Sequence, residues 1–434
     1  MFDEVRFTDQ PTISCRWVFT EKRKEDGTKL VKARLVARGF EENSEELNIR
    51  TDFPTCSRHS LKLVVLTAAA RDWKVKSIDV ASAFLQGNEI QRDIYIRPPE
   101  ELCGMETVWK LKRCLYGLND APREWYNKVY EEFMKSGAVR STLDNAMFMW
   151  YENDDIIGHL VSHVDDLNYT GTDKWQQDVL NVIKGKFKIS AEAESHFMYL
   201  GLNVNQGDEE ITIDQKHYIE KLQEIPLSAE RKKMNDEPAT KEEKSNLRSL
   251  SGQMLWVTSQ TRPDSAFGTC MMNNPGKNPT VKQIKEANKT VRKLKNSNNV
   301  MIKIPNVRSF DEIEVLVHGD ASHASLADGS SQGAFIVFIS GNGKMAPVLW
   351  RSKKLKRVTK SPLASEILAV GEASDAGVLI ANVLKEVYML KVMPKVTCYT
   401  DSKSMKDNLN TTNIIDDMSV RVEVARLREM VNRN

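Results

Sequence analysis

Apolar and polar positions change period several times along the chain, and the changes divide it into elements. Ile156, Ile157, Leu160 and Val161 make one short strand-like run, Leu167 and Tyr169 another, and between them lies His163-Val164-Asp165-Asp166. Two such runs around adjacent polar residues predict a β-hairpin with Asp165 and Asp166 at or beside its turn. Residues 13–40 predict an earlier hairpin, with Trp17, Val18 and Phe19 on one strand, a turn at Glu25-Asp26-Gly27, and a return through Leu30 to Val36. Leu61, Val64, Val65, Ala68 and Ala69 recur at helical spacing and predict a helix over 57–72. Residues 73–80 read as a strand carrying Asp79, followed by the small residues Ala81, Ser82 and Ala83. Short strands are expected at 93–96, stopped by Pro98 and Pro99, and at 108–111. The loop 114–122 contains Gly117, suited to close backbone approach, and Pro122, suited to open a helix over 123–136. That helix places Trp125, Val129 and Phe133 on one face.

Further along, residues 175–187 are amphipathic and helical, and 197–204 begin a strand pair continued at 211–213. The charged segment 228–246, which includes Pro238, reads as a linker or mobile loop. Residues 246–297 are helical and end on Lys282, Lys285, Lys289, Arg292, Lys293 and Lys295; an Asn-rich stretch then marks a boundary. Beyond it the pattern turns to strands at 314–320, 333–339 and 347–350, a basic run at 351–360, a helix carrying Glu366, a strand over 396–401 and a final helix near 417–431. The fold class expected from this alternation is α+β.

Composition narrows the field. A length of 434 residues suggests roughly two to four domains. Hydrophobic content of 41% and charged content of 28% are those of a globular protein. The net charge is only +2, so any nucleic-acid surface must come from local clusters, such as Lys22, Arg23, Lys32 and Arg34 on the first hairpin. No uninterrupted apolar run of about 18 residues occurs and the N-terminus lacks a signal-peptide core, so no membrane partner is expected. The six cysteines are scattered without CxxC spacing, which argues against a structural zinc site and for a reducing compartment.

Two sets of carboxylates stand at strand ends or on helices: Asp79 with Asp165 and Asp166, and Asp320 with Glu366 and Asp401. Such sets suit hard cations with oxygen ligands, and paired ions about 3.5–4 Å apart support phosphoryl transfer. The chain has no GxxxxGK[ST] loop, so nucleotide phosphates would be held by metal and basic side chains.

Taken in order, the motifs resemble one family. Trp17-Val18-Phe19 with Lys32-Ala33-Arg34-Leu35-Val36-Ala37-Arg38-Gly39-Phe40, then Asp79-Val80-Ala81-Ser82-Ala83-Phe84-Leu85, then Leu115-Tyr116-Gly117-Leu118-Asn119-Asp120-Ala121-Pro122-Arg123, then His163-Val164-Asp165-Asp166 are similar to the blocks of copia-type retrotransposon reverse transcriptases. Thr261-Arg262-Pro263-Asp264 resembles the family's connection region. Trp350-Arg351-Ser352-Lys353-Lys354, Ser365-Glu366 and Tyr399-Thr400-Asp401-Ser402 resemble its RNase H half. The resemblance implies a right-hand polymerase followed by a partial RNase H-like domain. It implies fingers and palm over 1–225, a thumb or connection-like helical region over 226–305, and the RNase H-like part over 306–434. The expected activity is RNA-directed DNA polymerisation with two Mg²⁺ or Mn²⁺ ions per site. Asp79, Asp165 and Asp166 would ligate metal, as would Asp320, Glu366 and Asp401 in the second half. Lys22, Arg23, Lys32 and Arg34 are candidates for the triphosphate, Phe84 for excluding a 2′-hydroxyl, Tyr116 and Gly117 for packing on the nucleotide. Phe197, Met198, Tyr199, Leu200 and Gly201 would form the primer grip. The implied partners are an RNA template, a DNA primer, their hybrid and deoxynucleoside triphosphates. The cytoplasm is the expected location, in a virus-like particle or otherwise, with the nucleus as an alternative.

The sequence departs from the family in places. His163 stands where the family has Tyr. The chain stops at Asn434, before the family's last strand and helix with their fourth carboxylate, so an RNase H half without efficient cleavage is expected. The rival expectation is a folded nucleic-acid-binding remnant without catalysis.

Overall fold

The computed structural model describes residues 1–5, 9–23, 28–42, 49–102, 107–307, 312–411 and 417–432, with the side chains of Lys22 and Arg23 outside that description. The fold is mixed α+β, and contacts group it into two compact units.

The first unit holds residues 1–57 and 76–193. Its larger sheet runs in the order Ile189–Glu194, Lys76–Val80, Asp166–Gly171, Asp155–His163, Met147–Glu152, Val139–Arg140. The helix Ala121–Lys135, with Pro near its start, buries Ala121, Trp125, Val129 and Phe133, spaced four apart on one face. Trp125, Val129 and Phe133 pack with Phe148, Trp150, Leu160, Leu167 and Tyr169 of the sheet. Trp175 completes this core by lying over two glycines that face each other across adjacent strands, Gly158 and Gly171. A Cβ on Gly158 would lie 2.3 Å from the Trp175 ring, and one on Gly171 2.4 Å from it. Only glycine leaves room for the indole there. The expected continuous helix over 175–187 is instead a short helix, a π-helical turn over Gln176–Leu180 and a helix over Asn181–Lys184. A second sheet of five strands contains the first hairpin, Thr12–Arg23 paired with Lys29–Ala37. The turn expected at Glu25-Asp26-Gly27 lies outside the described residues.

The second unit holds residues 58–75 and 194–434. The helix Arg58–Arg71 belongs here and is buried nearly all round, from Ser60 through Ala69. A four-stranded sheet, His196–Tyr199, Leu202–Gln206, Glu210–Asp214 and Ile302–Pro305, precedes and follows a helical group in sequence. That group, Lys241–Gln260, Ala266–Asn273 and Val281–Asn296, packs on Leu247, Leu250, Met254, Ile284 and Val291. The charged segment before it is pinned rather than loose. Arg231 reaches Glu243 at 2.8 Å and the Pro238 carbonyl at 2.7 Å, and Thr240 closes a capping box with Glu243. The last sheet is ordered Lys344–Lys354, Gln332–Gly341, Glu314–Ser322, Val396–Tyr399, the final pair being parallel. The 26-residue helix Pro362–Val387 crosses it, in contact with Gly319, Gly333 and Val317. By length and composition this helix could span a membrane, yet 67% of its apolar stretch is buried in the protein, as befits a core helix.

Candidate active site

The central hairpin forms as a tight turn: His163 is registered against Asp166, and Val164 in the turn takes φ +57°. Two contacts hold that turn in place, one at Val164 and one at Asp165. The Trp125 indole N–H donates to the Val164 carbonyl at 2.6 Å, and the Val80 N–H donates to the Asp165 carbonyl at 2.9 Å. On the other side of the strand Asp166 is registered directly against Asp79. Three carboxylates from two neighbouring strands and a turn therefore share one sheet end. The electrostatics show what this costs. Burial, then repulsion from Asp165 and Asp79, pushes the Asp166 carboxyl up to about 6. Asp165 is raised as well, by burial first and by Asp79, with Lys32 and Arg34 opposing. Half-buried carboxylates that repel one another, offering only oxygen donors, fit a hard divalent cation. His163 is pushed to lower pKa by burial, with Asp165 opposing.

The candidates for nucleotide contact surround this end. Phe84 lies in a short 3-10 turn, Ala83–Gln86, entered through Ser82 at φ +50°. Its ring sits 4.9 Å from that of Tyr116, tilted by 54°. Tyr116 is shifted to higher pKa by burial and by the nearby Asp165. Gly117 has φ +93°, and a Cβ there would meet the Ala37 carbonyl oxygen at 2.1 Å. What demands glycine is thus a backbone crossing with the first hairpin. Lys32 and Arg34 fall on the same face of that hairpin, opposite Thr20 and Val18, and their charges act on Asp165. Lys22 and Arg23 lie at the end of the partner strand, and their side chains are outside the described residues.

In the second unit, Phe197, Met198 and Tyr199 occupy the first strand of a hairpin, and Leu200 and Gly201 make its turn at φ +49° and +72°. Two consecutive positive φ angles suit a tight hairpin turn. Tyr199 is buried, Phe197 half-buried and Met198 exposed.

The second carboxylate set is the tighter one. Asp320 lies on Glu314–Ser322, Asp401 just past the parallel strand Val396–Tyr399, and Glu366 in the helix Pro362–Val387. One ligand oxygen from each lies within 4.8 Å of the others. Burial, then Asp320 and Asp401, lifts the Glu366 carboxyl to about 7. Its Oε2 is buried without a hydrogen-bond partner among the described residues. An orphaned buried oxygen facing two further carboxylates fits a cation. A cleft of about 650 Å³ adjoins Asp320 and Asp401, with Phe267, Phe335, Trp350 and Arg351 on its walls. His318 and Tyr399 also line it, stacked 4.8 Å apart on the paired parallel strands, a juxtaposition invisible in sequence. His323 bonds Ser365 at 2.9 Å. In the basic run, Lys353 pairs with Glu372 and Lys354 with Asp328, while the Arg351 guanidinium lies over the Phe335 ring.

The family model described as reverse transcriptase (RNA-dependent DNA polymerase) matches residues 5–234, more than half of the 434. The chain belongs to the reverse transcriptase family, and its similarities place it with the copia type. It is 26% identical over 406 residues to the retrovirus-related Pol polyprotein from transposon RE1 of Arabidopsis thaliana, covering 88% of this chain and 27% of that protein. It is 28% identical over 461 residues to the corresponding polyprotein from transposon TNT 1-94 of Nicotiana tabacum, covering 97% of this chain and 33% of that one. The chain thus spans about a quarter to a third of the length of these relatives. Among solved structures, a foamy viral protease-reverse transcriptase in complex with RNA/DNA hybrid matches with a TM-score of 0.51 at 13% identity, over 98% of this chain and 50% of that one, a likeness of fold.

Proposed function

We propose that this chain is an RNA-directed DNA polymerase that extends a DNA primer on an RNA template with deoxynucleoside triphosphates. The observation that carries the reading is the register of Asp79 against Asp166 with Asp165 in the adjoining turn. Asp79, Asp165 and Asp166 would hold two divalent ions, Mg²⁺ or Mn²⁺. Such ions, when bound, neutralise the triphosphate and stabilise the attacking and leaving oxygens. The protein's own part is placement. Lys32 and Arg34 bring positive charge toward the carboxylates from the hairpin face, and Phe84, braced by Tyr116, stands as the block against a 2′-hydroxyl. The hairpin Phe197–Gly201 serves as primer grip. Within this reading residues 1–225 are fingers and palm, 226–305 thumb and connection, and 306–434 an RNase H-like remnant in which Asp320, Glu366 and Asp401 would hold metal without efficient cleavage of the hybrid. The setting is the cytoplasm, in a particle there or otherwise, or the nucleus.

Primer extension on an RNA template with Mg²⁺ tests the proposal. Asp165→Asn should abolish extension while hybrid binding persists, because a metal ligand is lost and the basic surface is not. Equal extension by wild type and variant would refute the site; binding without extension in both would leave a nucleic-acid-binding remnant.

A further inference from the structure

Five hydrogen bonds fasten the base of the first hairpin to the loop that carries Tyr116. The Ala37 N–H donates to the Tyr116 carbonyl at 2.7 Å and the Gly39 N–H to the Gly117 carbonyl at 3.2 Å. The Asn119 amide donates to the Gly39 carbonyl at 2.8 Å. The other two run through a single side chain. Arg92 donates from Nη1 to Glu42 at 2.7 Å and from Nε to Asp120 at 2.9 Å. Glu42 follows the hairpin, and Asp120 stands at the start of the helix Ala121–Lys135. Both carboxylates are enclosed, with side chains 4% and 12% exposed. Burial alone would lower the Arg92 pKa; the bonds to Asp120 and Glu42 outweigh it and hold it raised. The bridge spans 50 residues on one side and 28 on the other, so it ties segments that are otherwise separate in the chain.

We propose that Arg92 is a positioning residue for the incoming nucleotide: by joining Glu42 to Asp120 it sets the angle of the hairpin that carries Lys32 and Arg34. This rests on the polymerase reading above. The hairpin is a lever. Lys32 lies five residues from Ala37, about 17 Å along an extended strand, so a tilt of about 5° at the base moves it by about 1.5 Å. Charges that approach the triphosphate in the ground state and the transition state alike contribute to binding, so their displacement should appear in KM and leave kcat near its original value. The deoxynucleotide is the ligand that should feel it, and the hybrid should not.

Single-nucleotide incorporation by the full chain, with dTTP, Mg²⁺ and an RNA-templated DNA primer, provides the test. Arg92→Gln strands two enclosed carboxylates and risks misfolding, so Glu42→Gln, which keeps the Arg92–Asp120 pair, is the deciding variant. Glu42→Gln should raise KM for dTTP about tenfold, with kcat within about twofold and hybrid affinity unchanged. Arg92→Lys should fall between wild type and Arg92→Gln, since an ammonium keeps the charge without the planar fork. Amide exchange at Ala37 and Gly39 should quicken in Glu42→Gln. A folded Glu42→Gln with wild-type KM overturns the inference, as does a fall in kcat at constant KM. A wild-type chain that incorporates nothing refutes the polymerase reading itself, and this inference with it; an active wild type with unaffected variants refutes the inference alone.

Discussion

Lys62 presents a measurable conflict between sequence and burial. It sits in the helix Arg58–Arg71 with only 3% of its surface exposed. Its Nζ lies 4.4 Å from the centre of the Trp350 ring and donates to the Arg58 carbonyl at 3.3 Å. Arg58, itself lowered in pKa by burial and by Arg351, faces it, and among the described residues no carboxylate is paired with it. Burial, then Arg58, depresses the Lys62 pKa from 10.5 to about 7. The folded state therefore binds the proton less tightly than the unfolded chain does. Between about pH 7 and pH 10.5 the unfolded chain holds more protons, so stability rises with pH across that window. Below it both states are protonated and the full penalty applies. A shift of this size amounts to about 5 kcal/mol at most, and relaxation around the ammonium should leave about 2–3 of it. Lys62→Met keeps the length of the side chain and its contact with Trp350 while removing the charge. It should stabilise the second unit at pH 7 by about 2 kcal/mol and flatten the rise in stability toward pH 9. Urea melts of wild type and variant at pH 7, 8 and 9 measure both. A variant no more stable than wild type at pH 7, or one with an undiminished slope, would refute the reasoning.

Other outcomes test separate parts of the structure. Phe84→Ala should increase ribonucleotide incorporation relative to deoxynucleotide by at least about tenfold in single-nucleotide insertion, since ring-to-methyl opens space over the sugar; an unchanged ratio removes Phe84 from that place. Gly158→Ala should cost about 2–3 kcal/mol, read as a lowered urea midpoint, because the new methyl overlaps the Trp175 indole; a wild-type midpoint would show that the socket is loose. With three carboxylates grouped in its second set among the described residues, the chain should cleave a labelled RNA–DNA hybrid only weakly in Mg²⁺. Robust cleavage lost in Asp401→Asn would show that three are enough.

Local patterns carried much of the architecture. The period-two runs around Asp165 located the central hairpin, and the spacing of Trp125, Val129 and Phe133 gave the face of a helix that the structure starts only two residues earlier, at Ala121. Tertiary effects were harder to read. Gly117 was legible as a close-approach residue, but the partner in that approach, the end of the first hairpin, lies some eighty residues away in the chain. Arg92 carries no local signal, because its role depends on two carboxylates distant in sequence. Lys62 looks like a solvent-facing residue until the helix around it proves to be covered on every side. The segment 228–246 has the composition of a loose linker, and its order comes from Arg231 finding Glu243 and from backbone bonds that join Asn235, Glu237 and Ala239 to residues 279–282.

The helix Arg58–Arg71 has a consequence for how the protein is made. It emerges from the ribosome between two pieces of the first unit, yet its partners belong to the far end of the second. The Thr67 hydroxyl bonds that of Tyr388, 321 residues further on, and Lys62 waits for Trp350. At roughly 5–20 residues per second, Tyr388 appears about 16–64 s after Thr67. Until Trp350 emerges, a helix that ends up buried nearly all round has neither of these partners, while the strands on either side of it in sequence are already free to pair with one another. The first unit must therefore assemble around an interruption in its own chain, and nascent products cut short before Trp350 should be the ones that draw chaperones or aggregate.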